Sequence, residues 1–357
     1  MIRRGTFLSP DGQTITRREL LRVTLGTGAM LAGGGLLVAC GQQNGALGGP
    51  APLPPPETTT VRIAMAAACD TGLILAGDYL HEEGFTDVRY IAANYLERAW
   101  VLNHEVDVAP GHSEFIVTSL DAGVPFVMLA GLHSGCYELW VGPGIHNISE
   151  LRGKRIAVRR TDTSDLYYAF FASLLGYVGI DPLKDVQFIA YGTGQEMNSA
   201  FIEGRADAVL TGAQQGPLFR RLPKAPGHVI LATMTEKPWS QYLCCSLLAD
   251  RDWARQNPIA TKRVTRAVLR ATDAAVRDPA RAAHDAAAAG GFADESIVRE
   301  TTDMCDYNWR ELDPEETLRF FALRLAEAKL ITSTPQQLIA QGTDLAYMRQ
   351  LRKELTP

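Results

Sequence analysis

Beyond residue 60, short apolar runs alternate with longer amphipathic stretches. The apolar runs are rich in Val, Ile and Ala and are bounded by glycine or polar residues, which is typical of buried strands. The predicted strands cover 61–67, 87–93, 106–111, 125–132, 154–160, 185–192, 206–212 and 228–233. Helical stretches separate most of these runs, so we expect strand–helix–strand units with right-handed crossovers and a mostly parallel sheet.

The same alternation begins again after Gly142-Pro143-Gly144, and a long helical tail follows the run YLCCSLLA at 242–249. Two α/β blocks followed by helices predict two lobes, between which the chain crosses near 140–143 and again near 239–243. We assign 61–141 to the first part of lobe 1, 142–241 to lobe 2, and 242–357 to a return into lobe 1 and the C-terminal helices. The predicted fold class is α/β, with each lobe a mostly parallel sheet flanked by helices.

The N-terminal region has a different pattern, in which Arg17-Arg18 precedes an apolar run that ends at Cys40. A membrane anchor, a buried core helix and a removed signal are the three interpretations. The run is shorter than the roughly 20 residues of a membrane span, and its glycines disfavour a helix. The arginine pair resembles a twin-arginine export signal, and Leu37-Val38-Ala39-Cys40 resembles a lipobox.

We therefore expect residues 1–39 to be a signal peptide and Cys40 to carry the lipid of an exported lipoprotein. Residues 40–60 are rich in glycine and proline and predict a tether. The body would be held at the outer face of the cytoplasmic membrane or in the periplasm.

Charge and cysteine content exclude some classes of function. Residues 1–39 carry five basic and two acidic residues, so removing them takes the net charge from −5 to −8. With no basic stripe, nucleic acid is not an expected partner. Cysteines other than Cys40 number five, and because none has the spacing of a metal-binding motif, we expect small buried thiols and no metal site.

Ligands of α/β proteins bind beyond the carboxyl ends of strands, where loops lead into helices. This rule selects ten candidate ligand-binding residues: Asp70, Thr71, His112, Ser113, His133, Ser134, Thr163, Ser164, Gly212 and Ala213.

Thr163 and Ser164 form a hydroxyl pair at a predicted helix start, which suits an anionic oxygen. Helix capping by Ser164 or Asp162 is the alternative. Asp162 and Asp165 flank the pair and would weaken a sulfonate or nitrate site, which leaves room for a neutral or cationic heterocycle.

The two histidines, His112 and His133, suit hydrogen bonding to an acceptor; metal binding by them lacks a third ligand. Asp70 either caps a helix or pairs with a ligand amine. Tyrosines that could stack on a ring, or else serve the core, are Tyr137, Tyr167, Tyr168 and Tyr191. No phosphate-binding loop, nucleophile elbow or His-Glu-x-x-His helix is present in the sequence, and we predict no cofactor and no catalytic residue.

Several stretches, in this order, resemble the periplasmic substrate-binding proteins of nitrate/sulfonate/taurine ABC importers. They are HEVDVAPG (104–111), LRGKRIAV (151–158), GIDPLKDVQF (179–188), FIEGRADAVLTG (201–212) and TPQQLIAQGTDL (334–345). The superfamily also contains binders and enzymes of thiamine-pyrimidine metabolism. Thr163 and Ser164 stand at a position that resembles the Ser/Thr turn which, in the family, binds the acidic group of the ligand.

The resemblance implies a two-lobed type II periplasmic-binding-protein fold and a monomer that is not an enzyme. It also implies delivery of a small organic ligand, sulfonate-, nitrate/taurine- or pyrimidine-like, to a permease driven by a separate cytoplasmic ATPase. A ligand-sensing receptor component and a thiamine-pyrimidine synthase-like enzyme are the alternatives.

Overall fold

The computed structural model describes the backbone of residues 7–8 and 14–15 and the chain over 54–290, 292 and 294–355. The chain forms two units, residues 1–51 and 52–357. In the first, strand β1 (Phe7–Leu8) pairs antiparallel with β2 (Thr14–Ile15). The predicted end of the signal peptide and Cys40 lie outside the described residues. Among the described residues, none of the helices has the length and apolar character needed to cross a membrane.

Two mixed sheets form the centre of the larger unit. The six-stranded sheet has the order β13-β6-β12-β5-β3-β4. Its strands are β3 (Thr60–Ala64), β4 (Asp87–Ile91), β5 (Val108–His112), β6 (Phe126–Gly135), β12 (Cys245–Asp250) and β13 (Cys305–Asp306). The five-stranded sheet has the order β11-β7-β10-β8-β9. Its strands are β7 (Glu138–Val141), β8 (Arg155–Val158), β9 (Gln187–Ala190), β10 (Ala208–Thr211) and β11 (His228–Ala232).

Helices cover both sheets. Along the first half of the chain they are α1 (Thr71–Ile74), α2 (Gly77–Glu82), α3 (Ala99–Leu102), α4 (Ser113–Asp121), α5 (Leu166–Tyr177), α6 (Gly194–Ile202) and α7 (Gln215–Arg220). The remaining helices are α8 (Arg251–Gln256), α9 (Pro258–Arg277), α10 (Pro279–Gly290), α11 (Glu295–Asp303), α12 (Pro314–Glu327), α13 (Pro335–Gly342) and α14 (Ala346–Glu354). The predicted α/β class and helical C-terminal region are confirmed.

Within each sheet, three strands are parallel, as the strand–helix–strand pattern predicts: β5, β3 and β4 in one, and β10, β8 and β9 in the other. Strands β7, on which the chain enters lobe 2, and β12, on which it returns to lobe 1, run antiparallel to this core. Strands β6 and β11, on which the chain leaves each lobe, run parallel to the core, because they pair antiparallel with β12 and β7.

The first crossing between the sheets lies earlier than the predicted 140–143. Strand β7 already belongs to the second sheet, because Leu139 and Trp140 pair with β10. The chain therefore crosses at residues 136–137. The second crossing runs through 233–244 and contains the predicted 239–243.

The predicted tether extends less far than residue 60, because the chain is packed on the body from Pro54 onward. The backbone oxygen of Pro54 accepts hydrogen bonds from Arg263. The Glu57 carboxylate accepts from the amides of Ile259 and Ala260 at 2.9–3.1 Å. These amides lie in the first turn of α9, where unpaired N–H groups favour an anion.

The close contact of α1 with α9 depends on a glycine. A Cβ placed on Gly72 would lie 1.9 Å from Thr272 Oγ1 and 3.0 Å from Thr272 Cα. Thr272 is buried, and its hydroxyl donates to the oxygen of Val268 at 2.9 Å. Neither helix can give way without disturbing this packing. Gly77, at the start of α2, has no neighbour within 4 Å of a Cβ and serves as a matched control.

We expect Gly72→Ala to lower the free energy of unfolding by about 1–3 kcal/mol, the usual cost of overpacking. Gly77→Ala should leave it unchanged or raise it by up to about 1 kcal/mol, because the unfolded chain loses freedom. Urea denaturation of both variants tests the difference. Equal stability of the two variants would contradict the described contact.

Candidate functional site

The cleft between the sheets is lined by the carboxyl ends of strands from both lobes. The segment after β3, the end of β5 and the segment after β6 contribute Cys69, His112 and Cys136. Lobe 2 contributes Tyr167 from α5 and Gln214 from the turn after β10. This placement agrees with the strand-end rule that selected the candidate residues.

The register of β12 brings the histidines to a cysteine. Cys245 is opposite His112 on β5 and opposite His133 on β6. Directly opposed residues of antiparallel strands project from the same face of a sheet. One strand therefore places a thiol between two imidazoles.

The surrounding segments add four further thiols to this group. We refer to the five sulfurs and two imidazoles as the cysteine–histidine cluster: Cys69, Cys136, Cys244, Cys245, Cys305, His112 and His133. All five cysteines are buried and free, and both histidines are buried. The cluster contains two groups of possible ligand atoms, and within each group all the atoms lie within 4.8 Å of one another. The first comprises Cys69, His133, Cys136 and Cys245; the second comprises His112, Cys244 and Cys245.

The first group contains a buried carboxylate–imidazole contact. Asp70 Oδ1 lies 3.3 Å from His133 Nε2, and both side chains are fully buried. The other ring nitrogen, Nδ1, lies 3.6 Å from Cys136 Sγ and 3.2 Å from the backbone oxygen of Ser134. Burial raises the pKa of Asp70 to about 6, and the neighbouring Cys69 thiol raises it as well.

The second group continues into a tyrosine and a glutamate. His112 Nδ1 lies 3.5 Å from Cys244 Sγ and 2.8 Å from the hydroxyl of Tyr137, which donates to Glu114 Oε1 at 2.6 Å. Burial raises the pKa of Glu114 to about 7, although His112 opposes the shift. Burial alone would lower the pKa of His112, but Cys244 and Glu114 raise it to about 9. Within the described part of the chain, the buried Glu114 Oε2 has no hydrogen-bond partner.

A cavity of about 100 Å³ lies between the lobes beside the cluster, with Cys69, His112, Cys136 and Tyr137 in its wall. Even benzene occupies a cavity of about 150 Å³, so this space suits a smaller ligand. A wider groove of about 650 Å³, lined by Asp273, Tyr307 and neighbouring residues, belongs to lobe 1 alone. Of these two, the smaller cavity is the one with walls from both lobes.

Five of the ten candidate residues lie at the cluster or at the cavity. Asp70, His112 and His133 belong to or adjoin the cluster, and Gly212 and Ala213 line the cavity.

Two hydroxyls among the candidates have backbone partners. Thr71 donates to the oxygen of Ala68 at 2.8 Å, and Ser113 donates to Leu243 at 2.7 Å. Ser134 is buried and its oxygen faces His133.

Thr163 and Ser164 lie away from the cluster. The Ser164 hydroxyl donates to Asp162 and accepts from Arg160 Nε at 3.1 Å. Asp165, rather than Ser164 or Asp162, caps α5 by accepting from the amide of Tyr167. Contact of Thr163 and Ser164 with a ligand stays a prediction.

Sequence reasoning did not select the cysteines or Glu114 as ligand-binding residues. Cys69 and Cys136 stand in the same strand-end loops as Asp70 and His133, and this proximity was a usable signal. Cys305 gave none, because it lies in β13 within a region that the sequence assigns to helices.

Two ion pairs join the lobes. Arg160 and Glu97 form a two-bond pair, with 2.9 Å for each bond. Arg221 lies 2.6 Å from Glu300 Oε1. We call these two pairs the interlobe clasp. Because Glu97 and Glu300 belong to lobe 1 and the arginines to lobe 2, the clasp stabilises the closed arrangement.

Comparison with known proteins supports the fold. Solved structures with a similar fold include the alkanesulfonate-binding protein SsuA from Xanthomonas axonopodis pv. citri bound to MOPS. It shares 15% identity at a TM-score of 0.64, over 81% of this chain and 99% of that one. The periplasmic nitrate-binding protein NrtA from Synechocystis PCC 6803 shares 16% identity at a TM-score of 0.65, over 84% and 90%. The periplasmic aliphatic sulphonate binding protein SsuA from Escherichia coli shares 15% identity at 0.60, over 81% and 94%.

At these identities the solved structures show a common fold, that of periplasmic binding proteins, which confirms the predicted architecture. No curated protein sequence matches the chain. Residues 71–282 match the family model described as "NMT1/THI5 like". That match spans more than half of the chain and agrees with the resemblance found in the sequence, so the protein belongs to the NMT1/THI5-like family.

Proposed function

We propose that this protein is the solute-binding component of an ABC importer and captures a small ligand between its two lobes. The observation that carries the proposal is the burial of a cluster of titratable and thiol groups between the lobes, with the clasp closing over it. Buried polar groups are costly unless they are paired or bind something. A cleft of this composition is better explained by a ligand than by packing.

The crossings provide a hinge for opening. Tyr137 on the first and Thr233 on the second are linked by hydrogen bonds from the Tyr137 amide to Thr233 Oγ1 and from the Thr233 amide to the Tyr137 oxygen, both 2.9 Å. Two short paired segments of this kind can absorb the dihedral changes of a lobe rotation. A ligand that contacts both lobes would then select the closed state.

Export, a lipid anchor at Cys40 and a monomeric state belong to the same proposal. The twin-arginine pattern, the residues before Cys40 and the negative charge of the remaining chain support it. The bound ligand would pass to a permease driven by a separate ATPase, and nucleic acid has no part in this function.

A second candidate is catalysis on the same fold, as in the thiamine-pyrimidine synthases. The cysteine–histidine cluster favours it, since thiols and imidazoles are common catalytic groups. The binding proposal keeps precedence because the solved structures described above are all of binding proteins.

Glu97→Gln should raise the population of the open state about two- to fivefold, because a partly exposed ion pair with two good bonds contributes about 0.5–1 kcal/mol. The buried cysteines report opening directly: a chromogenic thiol reagent should react faster with them in the variant. Glu203→Gln is the matched control, since Glu203 pairs with Arg205 inside lobe 2 at 2.8 Å. A reaction rate that Glu97→Gln leaves unchanged would contradict the clasp.

Native mass spectrometry of the full-length chain, before and after mild denaturation, should show a small ligand that is released without chemical change. Such a ligand, added back, should rebind with the same mass. A mass change on incubation with the protein would favour the enzyme candidate over the binding proposal.

A further inference from the structure

We propose that the solute captured in the cleft is a thiophilic metal ion, held by the sulfurs of Cys69, Cys136 and Cys245 and by Nδ1 of His133. This inference rests on the proposed function and gives it a ligand class. It departs from the sequence analysis, which predicted no metal site and a small organic ligand.

The distances suit tetrahedral coordination. With Zn²⁺–S bonds of about 2.3 Å and Zn²⁺–N bonds of about 2.0 Å, ligand atoms in a tetrahedron lie roughly 3.5–3.8 Å apart. Cys136 Sγ and His133 Nδ1 already lie 3.6 Å apart, and all four ligand atoms lie within 4.8 Å of one another. Shifts of about 1 Å would complete the site.

The residue types match one class of ion. Three sulfurs with one imidazole favour Zn²⁺, Cu⁺ and similar ions over Mg²⁺ or Ca²⁺, which prefer oxygen. Binding would release the thiol protons. The cavity of about 100 Å³ has Cys69 and Cys136 in its wall, so it gives an ion access to two of the four ligands.

Asp70 supports His133 in this role. Its carboxylate lies 3.3 Å from Nε2, so it can accept a hydrogen bond from the Nε2–H group. The unprotonated Nδ1 then faces the sulfurs. A carboxylate behind a ligating histidine is the usual support of such a ligand. His112 extends the support, since its Nδ1 lies 3.8 Å from Cys245 Sγ.

The backbone of Cys136 is a second, independent sign. Its φ of 84° lies in the left-handed region, where a residue other than glycine costs about 1–3 kcal/mol. Glycine would take this conformation freely. Small buried thiols explain an apolar core, but they do not explain a strained cysteine among two imidazoles and a carboxylate.

The position of Cys136 also distinguishes a captured ion from a permanent one. Cys136 lies in the first crossing, next to the paired Tyr137, so its ligation depends on the angle between the lobes. Tyr167 and Gln214 of lobe 2 complete the cavity wall. An ion could enter or leave only when the lobes separate.

The first test is the affinity of the reduced, full-length chain for Zn²⁺, measured by competition with a chromogenic chelator. Cys136→Ser should weaken it at least 100-fold, and Asp70→Asn about 10–100-fold, as for other supporting groups. Ser173→Ala is the control and should stay within threefold, because Ser173 is buried in α5 of lobe 2, outside the cluster, where its hydroxyl donates to the oxygen of Ala169 at 3.0 Å.

Urea denaturation of each variant checks that it folds. If Cys136→Ser does not fold, Asp70→Asn still tests the proposal, because it retains all four ligands. Replacing Zn²⁺ with Co²⁺ should give the intense absorption of thiolate-to-metal charge transfer. Absence of Zn²⁺ binding would overturn the proposal, as would an equal loss of affinity in Ser173→Ala and Cys136→Ser.

The second test separates this inference from the proposed function. Small-angle X-ray scattering should show a smaller radius of gyration with Zn²⁺ than with a chelator. Zn²⁺ binding without compaction would identify a permanent metal and overturn the role as solute. Compaction by an organic molecule in a protein that does not bind Zn²⁺ would overturn the metal ion and leave solute binding intact.

Discussion

The antiparallel pairing of β12 between β5 and β6 is the constraint on which the rest of the structure depends. It closes the lobe 1 sheet after the chain has returned from lobe 2, and it fixes Cys245 opposite both His112 and His133. A shift by one residue would turn Cys245 away from the histidines and bring Cys244 or Ser246 to their face. The same pairing thus joins the fold, the hinge and the cleft chemistry.

The energetics of the cleft follow from burial. Asp70, Glu114 and the two histidines are withdrawn from water, and their pKa values are raised by their surroundings. Groups of this kind are retained where they bind or orient something, because a closed apolar cleft would be more stable. The clasp at the rim contributes little energy by itself, which suits a protein that must open again.

The alternation of apolar runs and helices was sufficient to predict two α/β lobes, the parallel core of each sheet and the helical tail. It placed the first crossing too late, because the apolar run at Leu139 and Trp140 has the same pattern whichever sheet it joins. The strand-end rule selected Asp70, His112 and His133, which the structure brings together in or beside the cluster, and their contact with a ligand stays a prediction. It could not show that Cys245 and Cys305 join them, since strand register and β13 depend on pairing between distant segments.

The cap of the helix that follows Thr163 and Ser164 could not be predicted from the sequence. Ser164 or Asp162 was the expected cap, but Asp165 caps the helix, and the Ser164 hydroxyl is hydrogen-bonded to Asp162 and Arg160. Side-chain competition for the same amides cannot be judged from residue types alone.

The central claim is that the cysteine–histidine cluster binds the ligand, and X-ray absorption at the zinc edge tests it most directly. Protein loaded with one equivalent of Zn²⁺ should show three sulfur neighbours at about 2.3 Å and one nitrogen at about 2.0 Å. A shell of oxygen and nitrogen without sulfur would place the ion on surface carboxylates and imidazoles, and would contradict the account.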